Sequence, residues 1–277
     1  MPFTIAVAGK GGTGKTTLAA LLIQLLREQG EGPILAVDAD PNANLNELLG
    51  MEVERTIGDL REETLENIAE LPAGLSKEHY LEYGLHECLV EDEGLDLLVM
   101  GHGEGPKCYC MVNHILRKYI ELLRGNYRWV VIDNEAGMEH LSRRTTQDVD
   151  ALLIVANANP ISLRSAGRIS ELARKLKLRI QERYLVVNDL ESRGNDNDDK
   201  PYLPADLQEE LDRLGLELPL LGVIPHDGAL YRLALEGRPL RELEPGSRAK
   251  KAVGKLLAEL LRGQEIERVK TKINEGG

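Results

Sequence analysis

No apolar run in this sequence approaches the roughly 20 residues that a membrane-spanning helix needs, so no helical span is expected. Cysteine is scarce, with three in 277 residues. An odd number in a long chain does not make a disulfide framework, and reduced cytoplasmic thiols stay free for metal. The opening MPFTIAVAGK has neither the basic region nor the apolar stretch of a signal peptide, so a cytoplasmic location is expected. Basic charge is in deficit: 34 Lys and Arg stand against 46 Asp and Glu, a net charge of −12. Broad attachment to nucleic acid or to an anionic membrane through net charge is therefore disfavoured, and neither partner is expected. What is present is ordinary for a folded globular chain, 42% hydrophobic and 29% charged.

Thr4–Ala8 (TIAVA) is a short apolar run ending at glycine and reads as a buried strand. From Thr13 the period changes: Leu18, Leu21, Leu22, Leu25 and Leu26 recur at helical spacing, and Gly30 fits the C-cap. Further apolar runs lie at Ile34–Val37, Leu95–Met100, Trp129–Ile132, Ala151–Ala156, Tyr184–Val187 and Leu220–Ile224. Helical patterns separate most of them, near Met111–Leu123, Leu163–Leu176, Ala205–Leu214 and Ser247–Leu261. Continuous apolar strands with helices between them predict an α/β fold: one doubly wound, mostly parallel sheet of about seven strands. A single domain over residues 1–277 is expected, with a helical, acidic insertion around 51–93 and a polar loop at 189–200. The loop's carboxylates do not follow the spacing of a calcium-binding loop.

Gly9-Lys10-Gly11-Gly12-Thr13-Gly14-Lys15-Thr16 fits G-x-x-x-x-G-K-[ST] and sits between a strand and the first turn of a helix. The glycines let successive backbone N–H groups curl around a polyphosphate, and the helix N-terminus adds partial positive charge. Lys15 reaches the β- and γ-phosphates in such a loop, and the Thr16 hydroxyl ligates Mg²⁺. ATP with Mg²⁺ is the expected ligand, contacted by Gly9 to Thr16 and by Thr17. The form K-G-G-x-G-K-T-T, with a second lysine at Lys10, resembles the deviant Walker A motif of the MinD/ParA/nitrogenase-iron-protein class of P-loop NTPases. The resemblance implies that Lys10 crosses a dimer interface to the partner's nucleotide, and that ATP hydrolysis is coupled to homodimer formation.

Two further segments follow strand ends, where carboxylates face the ligand crevice of a parallel sheet. In Val37-Asp38-Ala39-Asp40-Pro41-Asn42, one acid can hold a Mg²⁺ water and the other can orient the attacking water. The resemblance makes this switch I, with Asp40 as the catalytic water-positioning group beside Lys10 and Lys15, and Asp38 in the Mg²⁺ shell. Asp133 closes an apolar strand as a Walker-B-type Mg²⁺ carboxylate does, and Gly137 beyond it can flex or donate its N–H as switch II. Asn188 matches the position at which the class holds adenine through a side-chain amide. Pro225, His226 and Asp227 are expected to form the other wall of the base pocket.

Cys108-Tyr109-Cys110 places two thiols on one side of an extended segment. Two ligands fall short of the four that zinc or an iron–sulfur cluster prefers, but a two-fold axis brings two pairs together as a Cys₄ site. His102, Glu104 and His114 lie close in sequence as possible transient ligands, and Cys88 reads as structural. Together, KGGTGKTT, VDADPNANL, the Cys-x-Cys pair and DNEAGMEHLSRRT resemble the CooC/AcsF group of accessory ATPases. That resemblance implies Ni²⁺ or Zn²⁺ at the paired cysteines, and carbon monoxide dehydrogenase or acetyl-CoA synthase as the client nickel enzyme. Thiolate donors suit either ion. Two alternatives remain open on sequence: an iron–sulfur reductase component like the nitrogenase iron protein, and a ParA/MinD-type positioning ATPase.

Overall fold

The computed structural model describes residues 2–67, 83–102, 118–136, 148–176, 178–191, 203–215 and 217–275, with side chains except at 65–67 and after 262. Its strands are β1 (Phe3–Gly9), β2 (Ile34–Ala39), β3 (Leu89–Asp92), β4 (Leu95–Val99), β5 (Trp129–Asn134), β6 (Asp148–Asn157), β7 (Arg179–Leu190) and β8 (Leu220–Pro225). The principal helices are α1 (Lys15–Glu28), α2 (Leu45–Leu49), α3 (Ile57–Asn67), α4 (Pro160–Lys175), α5 (Ala205–Leu214), α6 (Gly228–Leu235) and α7 (Arg248–Glu275). Residues 83–87 and 118–123 are also helical.

All eight strands form one sheet in the order β3-β4-β2-β5-β1-β6-β7-β8. Every pairing is parallel except β3 against β4. The sheet thus carries one strand more than apolar patterning predicts, and β3 is the addition. It lies at the end of the region expected to be a helical insertion. Its sequence, LVED, is half-buried to exposed at the sheet edge and carries only two apolar residues. An edge hairpin partner of this kind needs no long buried run, so patterning passes over it.

Alternation on β1 shows how the layers are built. Ala6 and Ala8 face one core with Leu163 and Ile169 of α4, Leu207 of α5 and Ile57 of α3. Ile5 and Val7 face the other with Leu18 and Leu22 of α1, Leu45 of α2, Leu233 of α6 and Leu256 of α7. Both faces of the sheet are covered, which is why its strands read as continuous apolar runs. Each fully buried Leu or Ile contributes about 2 kcal/mol of apolar burial. The helices therefore cannot shift without exposing the central strands, and the carboxyl ends of β1, β2, β5, β6 and β7 are held as a fixed rim.

Candidate functional site

The loop after β1 is shaped by conformations that only glycine adopts freely. Gly12 (φ +76°) and Gly14 (φ +85°) lie in the left-handed region. A Cβ on Gly9 would stand 2.6 Å from the Val155 carbonyl, and one on Gly14 would run into the Asn188 amide. The loop closes on itself through Thr13, whose hydroxyl donates to the Lys10 carbonyl at 2.8 Å. Asn188, at the end of β7, donates its side-chain amide to the Thr13 carbonyl at 2.9 Å. Helix α1 then begins with neither a side-chain cap nor a carboxylate in its first turn. Its positive end is left to an anion from outside. Lys15 is buried at 7% exposure, whereas Lys10 is exposed at the loop surface.

Three aspartates surround the start of this helix, in three different environments. Asp38 is fully buried, and each of its oxygens accepts a backbone N–H: Asp40 at 3.0 Å and Leu45, the first residue of α2, at 3.0 Å. Burial pushes its carboxyl up to about 6, with the backbone N–H groups opposing. It organises the turn into α2 as much as it offers charge. Asp40 is partly exposed and accepts from the backbone and side chain of Asn42.

Asp133 differs from both. It is 1% exposed, and neither carboxylate oxygen has a hydrogen-bond partner among the described residues. The Thr16 hydroxyl lies near enough to draw its pKa down without closing a bond to either oxygen. Burial, aided by the negative charge of Asp38, raises the carboxyl to about 7 despite Thr16 and Lys15. An unpartnered buried carboxylate is costly unless a ligand completes it. Its position beside Lys15 and the Thr16 hydroxyl fits a hydrated divalent cation. Next to it, Asn134 is buried and donates to the Val7 carbonyl at 3.0 Å, locking β5 to β1. Sequence reasoning passed over this residue. Gly11 approaches the far end of the segment, where its Cβ would meet that of Ala136 at 3.6 Å.

A cavity of about 270 Å³ opens beside the loop, bounded by Gly12, Gly14, Thr17, Asn188, Pro225 and His226. The expected base-pocket residues are thus brought together at its wall. Its floor is apolar and comes from Leu18 and Leu21 of α1, Leu48 of α2 and Ile224 of β8. Leu230, Tyr231 and Ala234 of α6 close the remaining side. None of these was assigned to a pocket from sequence, although Leu18 and Leu21 follow the loop at helical spacing. Asp227 lines the cavity but is committed elsewhere. One oxygen caps α6 through Ala229 N at 2.9 Å and Leu230 N at 3.3 Å. The other accepts from the Ser247 hydroxyl at 2.6 Å and Ala249 N at 3.0 Å, fixing the start of α7. His226 meets Asp189 through Nδ1 at 2.7 Å, and Asp189 takes a positive φ of 58° to make that contact.

The segment leading toward the cysteine pair departs from this rim. Met100 N donates to the Asp38 carbonyl at 2.8 Å, and Gly58 N to the Met100 carbonyl at 2.8 Å. Cys108, Cys110, Glu104, His114 and Gly137 lie outside the described residues, so the expected metal pair and switch II glycine receive no geometry here. Among the described residues, no group of three or more His, Cys, Asp or Glu is gathered for a metal ion. Cys88 is buried, donates its thiol to the Thr56 carbonyl at 3.3 Å, and is pushed up to about 12 by burial. An inert packing thiol behaves this way.

Comparison with known proteins settles the family. The model of the CobQ/CobB/MinD/ParA nucleotide-binding domain matches residues 4–240. The chain belongs to this family. It is a nucleotide-binding P-loop ATPase of the MinD/ParA class, which implies ATP and Mg²⁺ as ligands. An uncharacterised ATP-binding protein of Methanocaldococcus jannaschii is 42% identical over 259 residues, covering 93% of this chain and 98% of that one. The carbon monoxide dehydrogenase accessory protein CooC of Rhodospirillum rubrum is 33% identical over 257 residues, covering 89% and 92%. Among solved structures, the cell division ATPase MinD of Pyrococcus furiosus superposes with a TM-score of 0.65 at 26% identity, covering 95% of this chain and 99% of that one. MinD of Pyrococcus horikoshii, solved with Mg-ADP, gives 0.63 at 26% identity, covering 94% and 96%. Among the described residues, no helix is long and apolar enough to cross a membrane.

Proposed function

We propose that the protein is an ATP-hydrolysing metallochaperone of the CooC type, which assists nickel insertion into carbon monoxide dehydrogenase or acetyl-CoA synthase. The observation that carries this reading is the similarity to CooC along nearly the full length of both chains, in a sequence that also has the Cys108-x-Cys110 pair. In this reading Lys15 holds the β- and γ-phosphate charge, while the uncapped N-terminus of α1 and the loop N–H groups receive the remaining oxygens. The Thr16 hydroxyl and Asp133 would hold the magnesium ion, which when bound would neutralise the charge on the phosphates. Asp38 keeps the turn into α2 in place, and Asp40, half in solvent, orients a water. Asn188, Pro225 and His226 surround the base, and Asp227 fixes α6 as its wall.

Lys10, exposed on the loop, reaches the nucleotide of a second copy, so two ATP-bound chains close on each other. Closure brings two Cys108/Cys110 pairs together around one Ni²⁺ or Zn²⁺, the cargo. The thiols work in their reduced form, as in cytoplasm. Gly137 and the residues after it pass the state of the nucleotide to the client.

The test is metal analysis with an absorption spectrum on anaerobically purified protein. About one nickel or zinc per two chains, without iron and without a broad band near 400 nm, is expected. Iron with such a band would replace this reading by the iron–sulfur reductase. A metal-free protein that relocates on membrane or DNA with ATP would replace it by the positioning ATPase.

A further inference from the structure

A second cavity lies away from the phosphate loop, between α4, β7 and the turn from α5 into β8. It measures about 500 Å³ and is lined by Arg164, Arg168, Arg174 and Arg183. Four arginines around one concavity run against the net charge of −12 on the chain. The volume is that of a small-molecule site. Gly167 and Gly215 also border it and bring no side chain to fill it.

These arginines differ in their counter-charges. Arg164 is neutralised by Glu210 at 2.8 Å, a carboxylate that also pairs with Arg213. Arg174 has Glu217 only at 3.7 Å, with both side chains well exposed. Glu171 is engaged by Lys175 at 2.7 Å. Arg183, half-buried, donates to the neutral Ser170 carbonyl at 3.2 Å. Arg168 has no hydrogen bond or ion pair among the described residues. Two guanidinium groups, Arg168 and Arg183, therefore face the cavity without a carboxylate, and a third is loosely held. Guanidinium forks match phosphate oxygens in pairs.

The site is distinct from the nucleotide pocket. Arg183 pairs with Leu152 toward the amino ends of β7 and β6, whereas Gly9 pairs with Val155 at the carboxyl rim. From Arg183 to Asn188 along β7 is roughly 17 Å at the rise of a strand.

We infer that this cavity is a second anion site, which binds a small phosphorylated molecule. Glu171 and Glu217 on its border oppose a long polyanion such as nucleic acid, whose backbone would run across both, but leave room for a compact phosphate group among the arginines.

The experiment uses the full chain saturated with Mg²⁺ and a non-hydrolysable ATP analogue, so that the phosphate loop is filled. Titration calorimetry at low salt then compares inorganic phosphate, fructose 1,6-bisphosphate as an organic phosphate ester, and a short DNA duplex. Saturable binding of one ester per chain is expected, tighter than free phosphate. It should weaken about tenfold in Arg168→Ala and about a hundredfold in Arg168→Ala/Arg174→Ala, each arginine contributing one charge-assisted contact. Arg168 and Arg174 are exposed, and melting curves verify that the variants are folded. Arg241→Ala, an exposed arginine outside the cavity, should bind as wild type does. Phosphate bound more tightly than the ester would overturn the assignment to phosphorylated molecules. So would absence of saturable binding, equal binding in the variants, or a duplex retained by the wild type and released by them.

Discussion

Asn188 donates its side-chain amide to the Thr13 carbonyl, 2.9 Å away, and so fastens the end of β7 to the phosphate loop. The bond ties the wall of the neighbouring cavity to the loop. The tip of Gly14 lies directly under that amide, leaving no space for a side chain. Gly14→Ala should therefore cost twice, through its φ of +85° and through displacement of Asn188. Equilibrium binding of a fluorescent ATP analogue should fall more than tenfold in Gly14→Ala. In Asn188→Ala, which loses one hydrogen bond worth about 1 kcal/mol, the loss should be nearer fivefold.

Asp133 is a buried carboxylate that no described residue satisfies. Its two buried oxygens have no partner among the described residues, and Asn at this position removes a buried charge while keeping the shape. In metal-free buffer at pH 8, Asp133→Asn should be more stable than wild type by about 1–2 kcal/mol in urea melts. Addition of Mg²⁺ and ATP should raise the melting temperature of wild type only. A variant less stable than wild type in metal-free buffer would mean that the carboxylate is already satisfied.

Asp227 supplies the pH dependence of the pocket wall. Its desolvation favours the neutral form but is outweighed by hydrogen bonds from Ser247, Ala249, Leu230 and Ala229, so its carboxyl lies below the ordinary range. A depressed folded pKa contributes stability that is complete above the unfolded value, near 3.9, and is lost as pH falls through the folded value. Asp227→Ala should lower stability by about 2–3 kcal/mol at pH 7. The gap to wild type should narrow as pH falls below that unfolded value. A gap unchanged between pH 7 and pH 2.5 in denaturant titrations would dissociate the effect from ionisation.

Lys10 and Lys15 share one loop but differ in burial, the first exposed and the second 7% exposed. Lys15→Ala should abolish nucleotide binding in a single chain. Lys10→Ala should leave monomer binding within about threefold of wild type, the effect of a surface charge. It should block the ATP-dependent rise in sedimentation coefficient. Normal association of Lys10→Ala with ATP would remove the cross-subunit role.

The parts of the fold visible in the sequence were those in which burial dictates residue type. β1, β2 and β5 are covered on both faces and appear as uninterrupted apolar runs, and the phosphate loop is spelled by glycines that its turns require. β3 was missed because an exposed edge strand has no such requirement. The cavity expected to take the base was legible only where polar residues sit at strand ends. Its apolar lining of Leu18, Leu21, Leu48 and Tyr231 is assembled from three helices, and no local pattern announces that they meet. Asp38 and Asp133 looked alike as acids at strand ends. The structure separates them: Asp38 accepts two backbone N–H groups, whereas Asp133 has no partner among the described residues.

In the proposed function, the cysteines of two chains meet around a metal only when the chains close on ATP. The direct measurement is nickel and zinc content per chain, by mass spectrometry after gel filtration, with Mg²⁺ and a non-hydrolysable ATP analogue present. Wild type should elute as a dimer carrying about one ion, the stoichiometry of a shared Cys₄ site. Cys108→Ser/Cys110→Ser should bind the nucleotide equally well and carry none. An unchanged metal content in that double variant, or a wild type that stays monomeric and metal-free, would contradict the account.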